Sequence, residues 1–118
     1  MRTKLFTRLS LLAGASLLAA SASSFAADTA PVLDSKSCDP PRYPKAALIN
    51  EETGTVVMGF LIGTDGKVAD SKVEKSSGSK SLDRAALSAL SLCKFKPGTK
   101  DGKVDAVWAK LDFVWKLE

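Results

Sequence analysis

Ala106-Val107-Trp108-Ala109-Lys110-Leu111-Asp112-Phe113-Val114-Trp115-Lys116-Leu117 is the clearest strand of the chain, because every second position from Val107 is apolar. Val107, Ala109, Leu111, Phe113, Trp115 and Leu117 fall on one side. Trp108, Lys110, Asp112, Val114 and Lys116 fall on the other. A period of two over this length predicts a β-strand with one face in the core and one mixed, partly solvated face. Upstream, Thr55–Ile62 repeats the pattern, with Val56, Met58, Phe60 and Ile62 on one side. Thr64-Asp65-Gly66-Lys67 carries an Asp-Gly turn signal, and Val68 to about Lys75 reads as a weaker returning strand.

Between these strands and the last one the period changes. Leu82, Ala86, Ala89, Leu90 and Cys93 lie on one stripe at helical spacing, predicting a helix over about Leu82–Lys94. Ser81 is placed to cap it, Asp83 sits in its first turn, and Pro97-Gly98 closes the element. Before the first strand, Pro44 suits the first turn of a short helix running to about Glu52, with Gly54 as its left-handed stop. The order α-β-β-α-β predicts an α+β domain, two helices packed on a three-stranded antiparallel sheet. Ala27–Ser37 has no periodicity and is expected to be a mobile polar lead. The organisation expected is residues 1–26 as a targeting segment, 27–40 as an extended lead and 41–118 as the domain.

The targeting reading rests on Arg2, Lys4 and Arg8, the apolar run Leu9–Ala20 and the small residues Ser21–Ser24. These are the three regions of a secretory signal peptide, with cleavage expected after Ala26. A retained membrane anchor is the rival, but the apolar run falls short of the roughly 20 residues a span needs. Cleavage would remove three of the 17 basic residues and none of the 13 acidic ones, leaving a formal net charge of +1. No basic field then points to nucleic acid. Lys94, Lys96, Lys100 and Lys103 are interleaved with Asp101 and Asp105 and read as a solvated loop. In an oxidising compartment, the periplasm, the two cysteines read as a Cys38–Cys93 disulfide; two separately buried thiols are the alternative.

Catalytic chemistry has little to work with. The chain contains no histidine, which excludes imidazole-dependent triads, Cys-His pairs and histidine metal ligands. Two cysteines cannot form a four-ligand zinc site. Asp65 is not followed by the alternating oxygen ligands of a calcium loop. Tyr43, Lys45, Ser76 and Ser77 have loop and cap roles that account for them. No catalytic residue, metal, cofactor or small-molecule substrate is expected.

A succession of short motifs adds a resemblance. Tyr43-Pro44-Lys45-Ala46-Ala47, Gly54-Thr55-Val56, Asp65-Gly66-Lys67-Val68, Ser76-Ser77-Gly78, Leu82-Asp83-Arg84-Ala85-Ala86-Leu87, Phe95-Lys96-Pro97 and Phe113-Val114-Trp115 follow one another in order. Together they resemble the TonB C-terminal domain family over about Pro41–Leu117. The resemblance implies a binding activity, in which a domain of this kind pairs an extended segment of a TonB-dependent outer-membrane receptor, or another envelope protein, with an edge strand. Carried onto this chain, the partner-binding strand is the last one: Ala106, Val107, Trp108, Ala109, Lys110, Leu111, Asp112, Phe113 and Val114. Trp108, Lys110 and Asp112 would add side-chain selectivity, although Trp108 has the alternative of packing on a loop or helix.

This sequence departs from the energy-coupling members in two respects. Its apolar N-terminal segment lacks histidine, and no long Pro-rich reach separates that segment from the domain. The expectation is a periplasmic TonB-like domain without its own energy-coupling part. Two alternatives are an anchored energy transducer and a structural homodimer paired through the last strand.

Overall fold

The computed structural model describes residues 27–118; the signal segment read in residues 1–26 lies outside them. Nine elements follow in chain order: β1 (Val32–Asp34), α1 (Lys45–Ile49), β2 (Gly54–Ile62), β3 (Val68–Lys75), α2 (Lys80–Leu90), β4 (Lys94–Lys96), β5 (Thr99–Lys100), β6 (Lys103–Val104) and β7 (Val107–Trp115). The main sheet is antiparallel with the order β3-β2-β7. Helix α2 lies against β2 and β3, and α1 packs on α2. The α+β architecture expected from the sequence is therefore the one observed. Two small ladders, β1-β4 and β5-β6, are additions.

The period-two reading of β2 locates the core. Val56, Met58, Phe60 and Ile62 are all completely buried. They meet Leu82, Ala86 and Leu90 of α2, Ala47 of α1, and Ala109 and Trp115 of β7 in one cluster. Each large side chain so buried stabilises the fold by about 1.5–3 kcal/mol relative to exposure. The β2–β3 turn forms as its Asp-Gly signal predicts. Gly66 adopts φ 84°, and the Asp65 carboxylate accepts a hydrogen bond from the Lys67 N–H at 3.0 Å. Gly66 is needed there twice over, because a Cβ would also collide with the Phe95 carbonyl.

Three local readings are corrected. Ser79, not Ser81, caps α2, accepting a hydrogen bond from the Leu82 N–H at 3.2 Å. The helix starts earlier because Asp83 folds back onto the preceding loop. Its carboxylate accepts from the Ser76 hydroxyl, the Ser77 hydroxyl and the Ser77 N–H. Burial opposes ionisation of Asp83, but these hydrogen bonds outweigh it and hold the pKa below the ordinary aspartate value. The residue with left-handed backbone after α1 is Glu51 (φ 53°). Gly54 instead opens β2.

The third correction concerns the lead, which is not free. Leu33 pairs with Phe95 in the β1–β4 ladder. Thr29 and Thr99 exchange backbone hydrogen bonds at 3.0 Å in both directions. Pro31 is buried and Leu33 partly so. A three-residue strand is too short to show a period, so only its partner reveals it. The same ladders place Lys94, Lys96, Lys100 and Lys103 on short strands rather than in a loop, with all four side chains exposed.

Candidate functional site: the free edge of the last strand

Strand β7 pairs with β2 along its whole length, from Val107↔Ile62 to Trp115↔Gly54, with no shift of register. Among the described residues no strand lies on its other side. One row of its backbone N–H and C=O groups is thus turned away from the sheet, the condition for adding another strand.

The structure places the expected site residues as the alternation requires. Ala106 is exposed and immediately precedes β7. Ala109 is buried, while Val107, Leu111 and Phe113 are partly buried on the helix side. Trp108, Lys110, Asp112 and Val114 are exposed on the opposite face. Trp108 does not pack on a loop or helix. Its ring lies on the open face, 43% exposed, with the Lys72 ammonium 4.5 Å from its centroid. Lys110 forms a 3.6 Å ion pair with Glu74 of β3. Lys116 and Leu117 fall beyond the strand.

The far end of β7 is anchored by aromatic packing. Trp115 is buried, with its ring edge-to-face against Phe113 at 4.8 Å and against Tyr43 at 4.9 Å. Tyr43 in turn donates its hydroxyl hydrogen to the Glu52 carbonyl. These contacts tie the segment before α1 to the strand and keep β7 from fraying at that end.

A disulfide joins Cys38 to Cys93, with Cα atoms 4.8 Å apart. Cys93 is buried in the core just after α2. The bond therefore holds the chain around Pro40 and Pro41 near the free edge of β7. Leu33, Pro40 and Pro41 border a pocket that also touches Leu111, Asp112 and Phe113. Sequence reasoning did not bring these residues to the edge. The Pro-Pro pair was the one local signal, since two successive residues without N–H cannot complete a neighbouring strand. Among the described residues no group of acidic or cysteine side chains could hold a metal ion, and no helix is long and apolar enough to cross a membrane.

Comparisons with known proteins agree with the fold. The family model for the Gram-negative bacterial TonB protein C-terminal matches residues 39–117. Protein TonB of Xanthomonas campestris pv. campestris is 38% identical over 71 residues, covering 60% of this chain and 32% of that protein. Protein TonB of Pseudomonas aeruginosa is 35% identical over 80 residues, covering 68% of this chain and 23% of that protein. The chain thus corresponds to about a third or less of these relatives. The solution NMR structure of the Pseudomonas aeruginosa TonB CTD superposes with a TM-score of 0.60 and 32% identity, over 75% of this chain and 87% of that one. A Helicobacter pylori TonB-CTD gives 0.52 and 35%, over 66% and 70%.

Proposed function

Because the chain belongs to the family of Gram-negative bacterial TonB C-terminal domains, we propose that it works in the periplasm by adding an extended segment of an outer-membrane receptor, or of another envelope protein, to the free edge of β7. The domain is a protein-interaction module and not an enzyme. The observation that carries the binding mode is the edge of β7 that no strand among the described residues covers, with β7 in register with β2 over its full length. Backbone pairing supplies affinity in such an interaction, and alternate side chains supply selectivity. Residues Ala106–Val114 form the receiving strand in this reading, with Trp108, Lys110 and Asp112 on the face that would meet every second partner residue.

The proposal includes export with cleavage after Ala26. An intact mass lacking residues 1–26, on protein recovered from the native envelope, is the expected result. A retained N-terminus would favour an anchored transducer instead. The binding mode is tested by an amide-resolved NMR titration of the envelope-recovered, 15N-labelled protein with N-terminal segments of outer-membrane receptors from the same organism. Saturable shifts are expected on β7 and on its neighbour β2. A panel that leaves Val107–Trp115 unmoved would remove the reading. Shifts there that grow with protein concentration alone would assign the edge to a second copy of the chain.

A further inference from the structure

Beside the middle of β7, on the side of the sheet that faces the helices, lies a pocket of about 330 Å³. Leu111 and Phe113 of the strand form one wall and Pro40 and Pro41 the opposite one. Leu33, Leu90 and the Cys38 end of the disulfide add further apolar surface, and Ser35, Asp39 and Asp112 supply its polar lining. The pocket is predominantly apolar, and it adjoins the stretch of backbone that the proposed function leaves for a partner.

Its walls are fixed before any partner arrives. The β1–β4 ladder holds Leu33 in place against Phe95, the disulfide holds Cys38 to the end of α2, and Tyr43 is tied to Glu52 and Trp115. The chain between these anchors runs through Pro40-Pro41. That pair offers no N–H and cannot itself pair with β7, so the space beside the edge stays open. A strand added to β7 would place every second side chain on the side of Leu111 and Phe113. Opposite Leu111 or Phe113 such a side chain would face the pocket.

We infer that this pocket is the specificity subsite of the edge: the partner segment carries one large apolar side chain, leucine-like or aromatic, that seats between Leu111 and Pro41. The inference rests on the proposed strand addition and adds the class of residue the partner must present. A preformed pocket costs little to organise on binding, and an apolar anchor in it contributes in proportion to the area it buries.

The probes are blocked nine-residue threonine–serine peptides with a single central leucine or alanine, titrated by NMR into the 15N-labelled protein recovered from the envelope. The leucine peptide is expected to bind about tenfold tighter than the alanine one, with added shifts at Leu33, Cys38 and Leu90. Ser35→Phe, which puts a large side chain on the pocket lining, is expected to erase that preference. Shifts on β7 with equal affinities for the two peptides would overturn the subsite and leave the edge reading standing. No shift on β7 with either peptide would overturn the edge reading and the subsite together. Pocket shifts without any on β7 would show that the pocket takes an apolar group with no strand beside it, which also overturns the inference.

Discussion

The main sheet has two edges, and they are built differently. Strand β3 pairs with β2 through two register shifts, between Val57 and Met58 and between Leu61 and Ile62. Its exposed residues include Asp70, Lys72, Glu74 and Lys75. Irregular pairing and edge charges are the usual means of discouraging a further strand. Strand β7 carries fewer such devices: its exposed charges in the central stretch are Lys110 and Asp112. It pairs without a shift, and its partly buried residues Leu111 and Phe113 border an apolar pocket. The chain thus blunts one edge and leaves the other usable, although both share the central strand β2. An uncovered edge is a liability in a protein that needs no partner, so this asymmetry is the structural argument for a binding role.

Removing the staple should disturb the comparison most. Cys38→Ser with Cys93→Ser releases a constraint across 55 residues of sequence, worth about 4 kcal/mol in the chain-entropy model. Urea unfolding of the double variant against the oxidised parent measures that loss. Hydrogen exchange on the same samples should show faster exchange around Leu33 and Phe95, while the β2–β3 hairpin keeps its order of protection. A uniform acceleration would mean that the two edges are not independently supported.

A lysine placed on each edge sharpens the contrast. Leu111→Lys puts a charge on the partly buried side of β7 and should cost about 1–3 kcal/mol while abolishing peptide-induced shifts. Val73→Lys on β3 adds a charge to an edge already rich in them and should stay within about 0.5 kcal/mol, with binding intact. Equal effects at the two positions would erase the distinction between the edges.

Asp83 supports the β3 side through the cap of α2. Its folded pKa lies below the unfolded value, so its contribution is complete above the unfolded aspartate pKa and is lost as pH falls through the folded one. Asp83→Asn should therefore cost about 1 kcal/mol at neutral pH, and the gap to the parent should close on acidification below about pH 4. Thermal melts at several pH values test this; a gap independent of pH would mean that the carboxylate charge is not what matters. A small effect is also expected at Lys72→Ala, which removes the cation over Trp108. It should change stability by less than about 1 kcal/mol, with a change in Trp108 fluorescence as the readout.

The β2–β3 hairpin and β7 were legible because a half-buried strand keeps one set of alternate positions apolar, as Val56, Met58, Phe60 and Ile62 and then Val107, Ala109, Leu111, Phe113 and Trp115 do. The shift of the α2 cap from Ser81 to Ser79 was not legible, because Ser76, Ser77, Ser79 and Ser81 are all chemically able to cap. The fold of the loop, with Asp83 turned back onto Ser76 and Ser77, made the choice. The lead was misread for a related reason. Val32–Asp34 has too few residues for a pattern, and its strand character comes from Lys94–Lys96, more than fifty positions away.

What the sequence determined by itself was the order of the two helices and three main strands, the core face of each long strand and the family resemblance. Those follow from local periodicity and short-range turn chemistry, which act between neighbours in the chain. Tertiary structure alone decided which edge of the sheet stays open and what lies beside it. That choice depends on strand order, on the register of β7 against β2, and on the disulfide that brings Pro40 and Pro41 to the edge. Backbone pairing and cross-links join residues distant in sequence, and no local pattern records which partner each will find.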